Sequence, residues 1–173
     1  MKEPKTSELF CAADADVSFL SSDNVLFKLH SVHFQTSSGI LMPPEDAFFG
    51  SEAAPLPERA EVLELLFQFI EPPSESQNYR QPSVLSLEKS VFFELAEAAE
   101  KYVVYGAMNT CITHMPQMVY LDHFGVLNHA LKHGYWEIAD NAAKRCLEVA
   151  TPLEDAVTKL TSPGVLQKWV LYI

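Results

Sequence analysis

His129 and His133, in the run HALKH, are the two histidines best spaced to share a ligand, because positions i and i+4 fall on one face of a helix. A catalytic zinc centre needs a third protein ligand and usually a neighbouring carboxylate base, and HALKH supplies neither. A surface or capping role near the helix end is therefore the expectation for the pair. A small metal-dependent hydrolase using His129 and His133 stays as a remote alternative. Glu94 and Glu97 are carboxylates spaced for acid–base work, yet they fall on an exposed helix face, where a solvated pair is the expectation. No GxSxG elbow, GxxxxGK phosphate loop or GxGxxG turn occurs, so hydrolytic, nucleotide-hydrolysing and dinucleotide-binding chemistries lack their starting motifs. With only six glycines, phosphate-cradling loops are scarce. The chain is expected to be no enzyme and to need neither cofactor nor metal.

Twelve basic against 23 acidic residues leave a net charge of -11. That charge repels nucleic-acid phosphates and anionic lipid surfaces, so direct contact with either is not expected. Cys11, Cys111 and Cys146 are odd in number and lack CxxC spacing, which points to reduced thiols rather than a disulfide framework or zinc site. No apolar run reaches the 18 or so residues of a membrane span, and MKEPKTSELF is too polar for a signal peptide. An intracellular protein, cytoplasmic or nuclear, is the expectation. A chain of 173 residues that is 48% hydrophobic has material for one domain with a core, with or without a helical appendage.

The elements that must carry these residues follow from periodicity. Residues 1–13 are polar, contain Pro4 and read as a flexible arm. Val17 and Phe19, then Val25, Phe27 and Leu29, alternate as strands do, and Ser21-Ser22-Asp23-Asn24 suits the turn between them. A short helical pattern with Val32, Phe34, Ile40 and Leu41 apolar follows, interrupted at Gly39. Residues 43–57 hold four of the 11 prolines and read as an exposed loop. Within it, Phe48-Phe49 serve either as rings anchoring the loop to the core or as an exposed contact patch.

Ala60–Ile70 has apolar residues on most sides and is the expected central helix, ended by Pro72-Pro73. A polar loop leads to an amphipathic helix whose stripe is Phe92, Leu95, Ala96, Ala99 and Tyr102, with Glu97 and Lys101 paired outside. A second helix is expected over Tyr105–Met115, with Gly106 at the junction and Pro116 as its stop. Asp122 then suits an N-cap, with Leu121 and Val126 as a hydrophobic staple and Gly134 as the C-terminal glycine. The next helix buries Tyr135, Ala139, Ala142, Ala143 and Cys146 and turns Asp140, Lys144 and Glu148 outward. Thr151-Pro152-Leu153-Glu154 is a capping box, and Ser162-Pro163 repeats the signal ahead of Val165–Tyr172.

Taken together, DVSFLSSDNVLFKLHSVHFQTSSGIL resembles the opening of a BTB/POZ domain, through Asp16-Val17, Phe27, His30, Val32, Phe34, Ser38 and Leu41. AEVLELLFQFIEP is similar to the family's next helix, with Glu71 in place of its usual tyrosine, and FFELAEAAEKYVVYGAMNTCITHM to its closing helix pair. VLNHALKHGYWEIADNAAKRCLEVATPLEDAV resembles the helical extension of a group of small family members. The resemblance implies an α+β fold, a small β-sheet flanked by helical hairpins over 14–116 and a helical extension over 117–173. It implies a non-enzymatic protein-protein interaction module that binds itself as a homodimer or recruits another protein; a substrate adaptor for a cullin-type ubiquitin ligase is the alternative. Partner contacts would fall at Asp16 and His30, and at Leu41, Met42, Glu45, Phe48 and Phe49. The chain departs from the family pattern where Ser31 replaces a basic residue and where Met42-Pro43-Pro44-Glu45 alters the spacing of the cullin-binding triplet.

Overall fold

The structure, a computed structural model, describes residues 3–41, 53–73, 79–149, 157–161 and 164. Among them the strands are β1 (Lys5–Cys11), β2 (Val17–Leu20), β3 (Val25–Leu29) and β4 (Ala54–Pro55). The helices are α1 (Ser31–Ser37), α2 (Ala60–Gln68), α3 (Lys89–Tyr102), α4 (Tyr105–Met118), α5 (His123–His133) and α6 (Trp136–Glu148). The protein is α+β, a small mixed sheet followed by a helical extension. It divides into two compact units. One combines the described residues up to Ser86 with Glu94–Asn109, and the other combines Leu87–Phe93 with those from Thr110 onward.

In the first unit the period-2 alternation does what it predicts. β2 and β3 pair antiparallel with Val17 opposite Leu29 and Phe19 opposite Phe27, placing all four side chains on one buried face. Asn24 closes the turn with φ 67, a left-handed conformation that asparagine tolerates better than most residues. β4 adds parallel to β2, giving the order β1-β3-β2-β4. The helix pattern of α2 then supplies the lid: Val62, Leu63, Leu66 and Phe67 are fully buried. The Phe67 ring lies 5.3–6.4 Å from the rings of Phe10, Phe19, Phe27 and Phe34, so five aromatic residues from five elements share one nucleus. Such ring pairs contribute about 0.5–1.5 kcal/mol each beyond their buried area.

The segment expected to be a flexible arm is instead β1. It runs parallel to β3, with Lys5 opposite Val25 and Thr6 opposite Leu26. Its own sequence offers little to bury, but β3 presents an unpaired edge, and backbone pairing needs no particular side chains. Phe10 then enters the aromatic nucleus, and the Ser7 hydroxyl donates to Glu64 at 2.8 Å.

α3 keeps the predicted stripe, with Phe92, Leu95, Ala96, Ala99 and Tyr102 buried. Lys101 pairs with Glu58 at 2.7 Å, a tertiary partner that the helical spacing with Glu97 does not reveal. The Tyr102 hydroxyl donates to the same Glu58 at 2.6 Å, and burial followed by that carboxylate pushes the phenol up to about 12. The break between α3 and α4 falls at Val103, whose φ of 53 is left-handed, rather than at Gly106. Gly106 lies inside α4, where a Cβ would meet the Phe69 ring at 3.3 Å.

In the second unit, Pro116 does not stop α4, which continues to Met118. The lost amide costs about 3 kcal/mol in a helix interior. Burial of Met115, Met118 and Val119 around it, at about 1.5–3 kcal/mol for each large side chain, offsets that loss. Asp122 caps α5 as predicted, accepting from the Gly125 amide at 2.9 Å, and Gly134 closes it with φ 80. The staple does not form, since Leu121 is 71% exposed. In α6, Ala139, Ala142, Ala143 and Cys146 are buried and Asp140, Lys144 and Glu148 face outward, while Tyr135 is half-buried. The capping box at 151–154, Ser162-Pro163 and the expected helix over 165–172 lie outside the described residues.

Candidate functional site

Two of the residues singled out in the sequence, Asp16 and His30, meet at the end of the β2–β3 hairpin. Antiparallel pairing of Val17 with Leu29 makes this unavoidable, because it leaves the residues just beyond the pair side by side. Asp16 accepts the Ser31 amide at 2.7 Å and the Ser31 hydroxyl at 2.6 Å. It thereby caps α1 from the position just before β2, where the helix's own cap residue, His30, makes no side-chain capping bond. The Ser31 hydroxyl, the largest influence, holds the Asp16 carboxyl below the usual carboxylate range.

His30 joins three more ionisable groups. Its Nε2 lies 3.3 Å from Asp14 Oδ1, and its Nδ1 lies 3.6 Å from Glu71 Oε1. The second Glu71 oxygen faces His33 Nε2 at 3.4 Å. Glu71 is delivered here because Phe69 and Ile70 are buried and turn the chain out of α2, and the His30 amide fixes the carboxylate by donating to Oε1 at 2.9 Å. Hydrogen bonding to Asp14, with the Glu71 charge behind it, raises the His30 proton affinity above that of free imidazole. Neither His33 nor Glu71 was singled out as a site residue. The His30-x-x-His33 spacing, which puts both rings near one helix start, is the signal that marks them.

Leu41 is buried, and its amide donates to the Ser38 hydroxyl at 3.0 Å. Met42, Glu45, Phe48 and Phe49 lie outside the described residues. Ser38, buried, ties the exit of α1 to the α3–α4 junction: its hydroxyl donates to the Tyr102 carbonyl at 2.7 Å, and the next amide, Gly39, donates to the Val103 carbonyl at 3.0 Å. Glycine lets the two segments approach closely at 39, since a Cβ would meet Val103 Cγ1 at 3.0 Å and the Tyr105 hydroxyl at 3.3 Å and push those side chains aside. Around this bolt Ile40 is 61% and Tyr105 48% exposed, with Val103 half-buried beside them. Val32 is exposed as well, because Phe34 is the residue that α1 turns inward.

His129 and His133 do share a face of α5, with ring centroids 4.6 Å apart. Of the surface or capping role expected for the pair, the surface one does not hold for His129, which is 3% exposed and stacks at 6.2 Å on Tyr135. Val126, Leu127 and Ala130 turn that face of α5 inward and carry His129 with them. Glu94 lies on an exposed face as expected, bound there by Arg59 at 2.7 Å. A cleft beside the end of α4 and α6 is lined by Tyr120, Lys144, Arg145 and Glu148, with the Arg145 guanidinium 5.4 Å from the Tyr120 ring centre. No helix among the described residues is long and apolar enough to cross a membrane. No protein-family model matches the chain, and no curated protein matches it.

Proposed function

We propose that the chain is a protein-binding module of the BTB/POZ type that associates with a second copy of itself. The motifs that resemble that family support the reading, as does the α+β fold with its helical extension. The observation that carries it is the apolar group Ile40, Val103 and Tyr105, held outward on backbone bolted through Ser38 and Gly39. Side chains presented on fixed backbone lose little freedom on binding, so each contact contributes more to affinity than it would on a loose loop. The net charge of -11 opposes the approach of two copies, and screening by salt relieves that repulsion.

Gel filtration coupled to light scattering at tens of micromolar tests this. The expected mass is twice the 19.4 kDa of one chain, with association strengthening as salt is added, and Ile40→Glu returns the protein to one chain. A wild-type protein that stays strictly monomeric overturns the proposal.

A further inference from the structure

Two imidazoles and a carboxylate converge where β3 ends, α1 begins and α2 exits. We propose that His30, His33 and Glu71 form a binding site for one divalent transition-metal ion of the zinc class, with water completing a four-coordinate shell. This goes beyond protein binding and does not depend on it.

Distances bring all three residues within reach of one ion. Zinc–nitrogen and zinc–oxygen bonds of about 2.0–2.1 Å at tetrahedral angles set neighbouring donors about 3.3–3.4 Å apart. The His33 Nε2 to Glu71 Oε2 and His30 Nδ1 to Glu71 Oε1 separations are 3.4 and 3.6 Å, and one donor atom from each residue lies within 4.8 Å of the others. Both separations exceed the usual hydrogen-bond range of about 2.7–3.2 Å. The two separations end on different Glu71 oxygens, so in a four-coordinate shell one of these oxygens is the ligand and a shift within the 4.8 Å spread brings it and both ring nitrogens onto one ion.

The surroundings prepare the ligands. Asp14 faces His30 Nε2, so the proton of the neutral ring belongs there and the Nδ1 lone pair is directed to Glu71. A carboxylate behind a ligating histidine fixes tautomer and ring orientation and makes the ring a better ligand. Glu71 is positioned by the His30 amide, which leaves its second oxygen to the His33 side. Side-chain exposures of 31% for each histidine and 17% for Glu71 keep the site open to an incoming ion yet partly shielded. Two imidazole nitrogens with one carboxylate suit zinc, cobalt or nickel rather than calcium or magnesium, which take oxygen ligands. Asp14 and Asp16 add the negative charge that a dication neutralises.

Titration of the metal-free protein with zinc against a chromogenic chelator, and with cobalt followed by visible absorption, tests the site. The expected result is one zinc held at the hairpin end. Affinity falls at least about tenfold in His33→Ala and Glu71→Gln, the latter keeping the acceptor for the His30 amide and hence the fold. Asp14→Asn leaves all three ligands yet weakens binding by about 10- to 100-fold, as loss of an outer-shell partner does. Replacing His129 and His133 together leaves this zinc in place. The proposal is overturned if the chelator keeps all the zinc, or if His33→Ala and Glu71→Gln bind as tightly as wild type. It is equally overturned if a cobalt–thiolate band places the metal on cysteine.

Discussion

Replacing Ser38 by alanine removes one oxygen and leaves two buried backbone groups without their partner. The hydroxyl donates to the Tyr102 carbonyl at 2.7 Å and accepts from the Leu41 amide at 3.0 Å, and both residues are buried. A third bond, from the Ile40 amide at 3.3 Å, is long and reaches an exposed residue, so it counts for little. An orphaned buried donor or acceptor costs about 1–3 kcal/mol, and two of them cost about 2–4 kcal/mol once local relaxation is allowed. Urea unfolding followed by circular dichroism should show that loss as a lower midpoint with an unchanged slope. Hydrogen exchange adds a local test, because the Gly39 amide bonded to Val103 is expected to lose protection along with Ser38. Ser22→Ala, at an exposed position in the hairpin turn, is the control and should shift stability by under about 0.5 kcal/mol. A Ser38→Ala change within the same 0.5 kcal/mol would refute the bolt, and with it the rigid presentation of Ile40 and Tyr105.

Phe67→Ala removes the ring shared by Phe10, Phe19, Phe27 and Phe34, and should cost about 3–5 kcal/mol in urea unfolding; a loss under 1 kcal/mol would show that the nucleus is built otherwise. Asp16 has a folded-state proton affinity below its ordinary value of 3.8, so its contribution is present above that pH and is lost as pH falls through the lower folded value. The stability gap between wild type and Asp16→Asn should therefore be widest near pH 5–7 and close in stronger acid, and a gap that widens in acid contradicts the capping role. Among the thiols, Cys11 is exposed while Cys111 and Cys146 are buried, and burial pushes Cys146 up to about 11. A thiol reagent should titrate one group in the folded protein and all three after unfolding.

Much of the fold was legible because local patterns and tertiary packing agree. The alternation through Val17, Phe19, Phe27 and Leu29, the stripe of α3, the Asp122 cap and the Gly134 stop all recur in the structure. Each rests on a periodicity or a terminal bond that the chain satisfies with its own neighbours in sequence. The misreadings share the opposite cause. β1 looked like a loose arm because its stability comes from the edge of β3, and Pro116 looked like a stop because burial of Met115 and Met118 is invisible in a string of residues. Leu121 satisfies the staple spacing yet remains exposed.

The site divides along the same line. Sequence by itself determined the residue types and the short-range facts: Asp16 and His30 at either end of a hairpin, two histidines at i and i+3, a carboxylate just before a double proline. It equally determined the acidic character of the chain, since charge adds up regardless of fold. Only the tertiary structure decided that Glu71 reaches the hairpin, 41 residues from His30, and that Ser38 reaches Tyr102, 64 residues away. The physical reason is that such long-range polar contacts form only after burial of the aromatic nucleus has brought β3, α1 and α2 together. Hydrophobic packing positions the polar groups, and their own spacing in sequence carries no record of it.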